Sequence, residues 1–246
     1  MKAIITFHNI GDDGSVLSFS AGRFAQLLDN FDEYDIPVLT LDQLLDDSCE
    51  RGVTLTFDDG MASVFDAALP ILRQRQTPAH LFLTVGAVGG DNRWPGQPES
   101  APTYKMLNWD QLHDLHANGM LMDAHTYSHP DLRRLSDDEV EAEFTRCDAE
   151  IEQAFGRRPR YFSYPYGFLD DRLERLCKAR YAASVSTRLG YLGSSDRASA
   201  LPRLDSYYLQ SPGFVKNLFS IKTRQYLAVR AAMRRVRGGI WNSDHA

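Results

Sequence analysis

Seven short apolar runs recur along the chain with helical patterns between them, and this alternation limits the fold more than any other feature. The runs are AIITF (3–7), VTLTF (53–57), AHLFLTV (79–85), MLMDA (120–124), RYFSY (160–164), AASVS (182–186) and ALPRLDS (200–206). Helices are expected near 20–32, 60–75, 108–118, 136–155 and 170–179. Ser20, Asn108, Ser136 and Asp170 are suitable start residues, and Gly119 and Gly156 sit where helices should stop. Strand-then-helix repetition means parallel strands joined by crossover helices. In 246 residues this leaves a (β/α) barrel or a doubly wound sheet. No GxGxxG follows the first strand and no GxxxxGK[ST] occurs, so nucleotide binding of those kinds has no support.

Composition works by exclusion. An apolar share of 43%, a charged share of 24% and a net charge of -6 describe an ordinary globular chain with no call for nucleic acid as partner. Cys49, Cys147 and Cys177 are odd in number and lack CxxC spacing, which argues against a disulfide scaffold or a cysteine zinc site. The first apolar run is too short for a signal peptide and no stretch approaches a membrane span, so the chain reads as cytoplasmic.

Charge is uneven along the chain. From Lys216 onward the bases are Lys216, Lys222, Arg224, Arg230, Arg234, Arg235 and Arg237, against the single acid Asp244. A catalytic domain over 1–213 is therefore expected, followed by a basic helix and tail over 214–246. Cations late in a helix complement its dipole, and docking on the barrel is one account of this tail. A weak contact with an anionic membrane surface is the other.

The polar residues that follow the apolar runs carry the chemistry. His8 follows the first, Asp58 and Asp59 the second, His125 the fourth with His129 four positions on, and Pro165, Tyr166 and Gly167 the fifth; the last run carries Arg203 and Asp205. In parallel α/β folds the carboxyl ends of the strands form one rim, where active sites sit. Two histidines four apart can chelate one metal, although the glutamate of an HExxH motif is absent and Thr126 stands in its place. Asp58 and Asp59 either cap the next helix or hold a cation and act on a substrate. In the long stretch GGDNRWPGQPESAPTYK (89–105), Trp94 and Tyr104 could stack on a sugar ring, or the stretch could be a surface insertion.

TFDDG (56–60) together with HTYSH (125–129) resembles the first two motifs of the polysaccharide deacetylases, carbohydrate esterase family 4. FSYPYG (162–167) resembles the third, and FHNIG and LPRL (201–204) resemble segments of one branch, so the likeness runs from about residue 3 to 206. It implies a distorted (β/α)₇ barrel in a single domain. It also implies Asp59, His125 and His129 as ligands of a divalent metal, Asp58 as catalytic base, and the backbone N–H of Tyr166 as donor to the oxyanion. Two histidines and one aspartate suit zinc, with cobalt or nickel as alternatives. Substrate contacts are expected from Tyr166, Pro165 and Trp94. Asp123, or else His80, is expected behind the ligating histidines, since such histidines usually donate to a carboxylate or carbonyl.

The chain departs from the family pattern at two places. Ser163 stands where many members carry an arginine that orients the base, and Arg203, with Asp205, is the candidate replacement. Many members also end on a strand with a histidine general acid. Here the only histidine after residue 206 is His245 in the tail, so His8 is the candidate acid. His113 and His116 have ligand-like spacing but precede a strand, and are expected on a solvated helix face. The implied activity is removal of N-acetyl groups from amino sugars of a polysaccharide or lipid-linked glycan. Hydrolysis of a small amide, ureide or formamide is the alternative, and a degenerate glycan-binding module is a third reading that the intact Asp58 opposes.

Overall fold

The computed structural model describes residues 1–95, 97 and 101–243; Asp244 and His245 lie outside it. Its framework is a closed barrel of seven parallel strands, which decides between the two architectures left open by the sequence. In order round the barrel these are β1 (Lys2–Phe7), β4 (Gly52–Asp59), β5 (Ala79–Leu83), β6 (Met120–Ala124), β7 (Tyr161–Ser163), β8 (Ala183–Leu189) and β9 (Leu201–Asp205). β9 closes the ring by pairing with β1, Leu204 opposite Ile5. The two remaining strands, β2 (Asn9–Ile10) and β3 (Ser18–Phe19), form a small ribbon above β1.

Strand alternation sorts the residues into two layers. On β4, Val53, Leu55 and Phe57 face outward and pack with Ala3, Ile5, Phe7, Leu81 and Leu83 under the helices. The intervening Thr54, Thr56 and Asp58 therefore face the barrel interior. A second cluster of Ile4, Phe82, Tyr161, Val185 and Leu201, with Leu41 and Leu44, fills the inner layer. Leu41 and Leu44 come from α2 (Leu41–Leu45), a short helix that plugs the barrel. This helix was not anticipated, although Thr40 and Gln43 spell a capping box that is fully formed.

The other helices follow their start signals closely. α1 (Ala21–Glu33), α4 (Trp109–Ala117), α5 (Asp137–Phe155) and α6 (Asp171–Arg180) are capped by Ser20, Asn108, Ser136 and Asp170, and Gly156 ends α5 in the left-handed conformation. The helix expected over 60–75 is divided. A wide π turn spans Val64–Ala68 before α3 (Leu69–Arg75). Pro70 has no N–H to give the carbonyl four residues back, and widening the preceding turn absorbs the missing bond.

A short α7 (Pro212–Lys216) leads into the basic tail, which forms α8 (Ile221–Ser243). Residues 221–234 of it dock: Thr223 and Leu227 are buried, Arg234 pairs with Asp205 at 3.1 Å, and Arg230 donates to the Tyr208 hydroxyl at 3.4 Å. Truncation after Phe219 should therefore lower the melting temperature. Burial of one leucine stabilises by about 2 kcal/mol, and at this chain length that corresponds to a fall of roughly 4–8 °C in calorimetry. An unchanged transition would mean that the packing of α8 contributes nothing. No described helix is long and apolar enough to cross a membrane.

Candidate active site

The site assembles at the carboxyl end of the barrel, and a break in strand geometry at Asp59 makes it possible. Neighbouring residues on a strand point to opposite faces. Asp58, following Thr54 and Thr56, points inward; Asp59 in regular geometry would point away. Instead Asp59 has φ 74° and Gly60 φ 101°, so the chain turns left-handed at the strand end and swings the second carboxylate over the same mouth. Of the six non-glycine residues with positive φ among the described residues, four lie here: Asp59, Thr126, His129 and Tyr166. Such conformations cost of order 1–3 kcal/mol each and persist where the surroundings enforce them.

Those surroundings can be identified. The Thr126 hydroxyl accepts from the His129 N–H at 3.0 Å. The Glu143 carboxylate accepts from the Tyr127 and Ser128 N–H groups at 2.9 and 2.8 Å and from the Ser128 hydroxyl at 2.7 Å. At Gly167, with φ 72°, an added Cβ would stand 2.0 Å from Thr187 Oγ1, so only glycine lets the Tyr166 turn sit against β8.

Three ligand-type atoms converge as a result. His125 Nε2 lies 3.3 Å and His129 Nε2 3.4 Å from Asp59 Oδ1, all three residues are buried, and their ligand atoms fall within 4.8 Å of one another. His125 Nδ1–H donates to the Ser163 carbonyl at 2.7 Å, which leaves Nε2 as the lone-pair nitrogen aimed at the cluster. Burial pushes the Asp59 carboxyl up, but the imidazoles of His125 and His129 set against it outweigh this and hold the acid well below the usual range. Burial lowers His129, whereas at His125 the carboxylates of Asp59 and Asp58 overcome burial and raise it. A buried carboxylate and two imidazole nitrogens aimed at one point fit a divalent cation.

Beside this triad, Asp58 is held by Arg203 in a two-pronged ion pair: Nη1 to Oδ1 at 2.7 Å and Nη2 to Oδ2 at 2.6 Å. Arg203 is fixed in turn by the Ser186 carbonyl at 3.0 Å and by the Thr56 and Ser163 hydroxyls at 3.3 and 3.2 Å, and lies over the Phe82 ring at 6.0 Å. The Ser163 hydroxyl also donates to Asp58 Oδ2 at 3.2 Å. Oδ2 thus has two donors and Oδ1 one, so Oδ1 keeps a lone pair free for a further proton. Burial raises the Asp58 carboxyl, but the Arg203 charge and its hydrogen bond more than offset this, and Asp58 stays ionised below the usual carboxylate range. His8, on the inner face by alternation with Ile4 and Thr6, is partly exposed at the mouth.

Several expected residues serve elsewhere. Asp123 does not support a ligating histidine. It accepts from His80 Nδ1 at 2.7 Å and from the Arg160 and Tyr161 N–H groups, both at 3.1 Å. His80 Nε2 accepts from the Leu41 N–H at 2.9 Å, so this buried pair anchors α2. Asp205 ends β9, where it caps the Tyr207 N–H at 3.0 Å and meets Arg234. Pro165 is buried under its turn, whereas Tyr166 is only partly covered. The Trp94 ring lies flat on His129, centroids 4.2 Å apart, while Tyr166 meets His129 edge-on at 4.5 Å. His113 and His116 pack against Phe155 on the barrel flank, His116 half-buried. Ser163 and Glu143 had no local signal for their roles, because their partners lie far away along the chain.

A closed parallel barrel with a buried Asp–His–His cluster and an ion-paired aspartate at its carboxyl mouth has the layout of a barrel hydrolase, with three residues that could hold a metal ion. A family model described as polysaccharide deacetylase matches residues 46–183, and the chain belongs to that family. It is 24% identical, over 78% of its length, to the poly-β-1,6-N-acetyl-D-glucosamine N-deacetylase of Staphylococcus aureus, of which it spans 66%. It is 31% identical to the chitin deacetylase of Colletotrichum lindemuthianum over 46% of this chain and 41% of that one. Among solved structures, IcaB from Ammonifex degensii shares the fold with a TM-score of 0.71 at 23% identity, covering 87% of this chain and 97% of that one.

Proposed function

We propose that this chain is a divalent-metal-dependent hydrolase that removes N-acetyl groups from the amino sugars of a polysaccharide or lipid-linked glycan. The observation that carries this reading is the Asp59–His125–His129 cluster set beside an aspartate that arginine keeps ionised. The names of the related deacetylases support the acetylated glycan as substrate.

Asp59, His125 and His129 would hold the cation, with zinc expected. When bound it would polarise the acetyl carbonyl and acidify a water. Asp58 Oδ1 takes the proton from the attacking water, and Arg203 keeps this carboxylate charged and in place. The Tyr166 N–H, in the turn at φ 58°, donates to the oxygen that gains charge. His8 hands a proton to the departing amine from the β1 side of the mouth. Acetate release from N-acetylglucosamine oligomers, measured with and without chelator, tests this reading. Release that is indifferent to chelator would remove the metal from it, and no release with the metal supplied would sink the deacetylase assignment.

The role of His8 gives a separate expectation. His8→Ala should slow turnover by about 10²-fold, the lower scale for a lost general acid, and flatten the alkaline limb of the rate profile. The sign follows from the role: an acid must be protonated, so activity that depends on it fades as pH rises. An unchanged bell-shaped profile would make His8 a structural residue.

A further inference from the structure

The two histidines of the cluster are held in different ways. His125 follows β6 directly: its N–H donates to the Leu83 carbonyl at 3.2 Å, and its ring is aimed by the Nδ1–H bond to the Ser163 carbonyl at 2.7 Å. His129 has no such bond. Its Nδ1 is buried and meets no hydrogen-bond partner among the described residues. A ligating histidine is almost always aimed by a hydrogen bond at its second nitrogen, so His129 must be aimed by other means. Trp94 and Tyr166 press on the ring from its face and its edge, but ring packing is broad in angle. What remains is the backbone, left-handed at both Thr126 (φ 66°) and His129 (φ 57°).

That turn is gripped from two sides. From the end of β5, the Gly86 N–H donates to the Tyr127 carbonyl at 2.8 Å, and a Cβ at Gly86 would stand 2.6 Å from that oxygen. From α5, Glu143 Oε2 accepts from the Tyr127 and Ser128 N–H groups and Oε1 from the Ser128 hydroxyl. Both carboxylate oxygens are thus engaged by the segment between the histidines. Bonds to an ionised acceptor are roughly twice as strong as neutral ones. Arg146, three positions on and so on the same side of the helix, lies over the Tyr127 ring at 3.6 Å. The helix has a fixed register, because Val140, Phe144, Cys147 and Ile151 are buried at helical spacing and Phe144 meets Phe162 of β7 edge-on at 5.0 Å. A helix locked into the core therefore carries a charged acceptor to the turn that ends on His129.

We infer that Glu143 is a positioning residue for the cluster: by clamping Tyr127 and Ser128 it fixes where His129 presents Nε2, and so sets the affinity of Asp59, His125 and His129 for a divalent cation. This inference rests on the metal-dependent reading above. It concerns binding and not the chemical step, since the Glu143 oxygens are engaged by the turn.

The test is the Zn²⁺ dissociation constant of the metal-stripped protein, read by competition with a chromogenic chelator in the wild type, Glu143→Ala and Glu143→Gln, with thermal unfolding of each metal-free protein alongside. Glu143→Ala should weaken binding by about 10–100-fold, the scale of a lost support behind a ligand. Glu143→Gln keeps an oxygen for the two N–H groups and offers its N–H₂ to the Ser128 hydroxyl, which can accept as well as donate, so it should restore binding. If Glu143→Ala does not fold, Glu143→Asp, a methylene too short to meet all three donors, takes its place with the same expectation. Wild-type affinity in the folded variant, whatever its melting temperature, would overturn the inference and leave the metal site standing. Binding by Glu143→Gln as weak as by Glu143→Ala would also overturn it, because the charge and not the grip would then be what acts. A wild type that binds no Zn²⁺ would overturn both the inference and the metal-dependent reading.

Discussion

Asp59→Ala and His125→Ala should each lose metal and hydrolysis together. Loss of an outer partner of a ligand already weakens metal affinity by about 10–100-fold, so loss of a ligand should exceed about 100-fold. Asp59 Oδ1 is the carboxylate oxygen that faces Nε2 of both histidines, and the Asp58 carboxylate is committed to Arg203. Alanine at Asp59 carries a second effect, because φ 74° suits asparagine or aspartate better than alanine. Asp59→Asn keeps the turn and removes the charge, so it separates backbone strain from ligation. Elemental analysis of each folded variant, with circular dichroism as control, is the measurement. Full metal occupancy would show that other residues are the ligands. Metal retention should also fall with acid, since a cation competes with protons for imidazole. Burial opposes it, but the neighbouring carboxylates raise His125, so it should hold its proton to a higher pH than an isolated histidine.

Asp58→Asn should keep the metal and lose at least about 10²-fold in rate, the usual scale for a lost general base. Arg203 retains the Ser186 carbonyl and the Thr56 and Ser163 hydroxyls, so the variant should fold, although an amide N–H₂ facing the guanidinium costs some stability. Near-wild-type turnover would require another base. The pH sign follows from the ion pair. The folded carboxyl of Asp58 lies below its unfolded value, so its contribution to stability is complete above the unfolded pKa. That contribution is lost as pH falls through the folded one. Replacing Arg203 removes the largest opposition to burial and should move the acidic limb of the rate profile upward. Breaking such a buried pair costs about 3–5 kcal/mol, so the folded fraction must be measured alongside.

The seven strands, four helices with their caps, and the placing of Asp58, Asp59, His125 and His129 on one rim were legible in the sequence. Each is written in neighbouring residues: period-2 runs such as VTLTF, start signals such as Ser136 with Glu139, and a short motif after a strand. Local patterns survive in the sequence because the interactions behind them span a few residues. Barrel closure did not follow from pattern, since a doubly wound sheet uses the same alternation; the pairing of β9 with β1 decided it.

Arg203 was the expected partner of the base, but the remaining supports of the site were decided by tertiary structure. Arg203 reaches Asp58 from 145 residues away, and the Ser163 carbonyl accepts the hydrogen bond of His125 Nδ1–H from 38 away. Asp123 sits two residues before His125 on the same inward face, yet it serves His80 and the start of β7, because a barrel interior offers each carboxylate several donors and proximity selects among them. Asp205 shows the same rule from the other side: at the strand end it meets the Tyr207 N–H and Arg234 before it can meet the base. Residue identity and spacing set which groups arrive at the rim. Which buried group each one bonds is a contest between partners distant in sequence, and the closed barrel decides it by bringing them within reach.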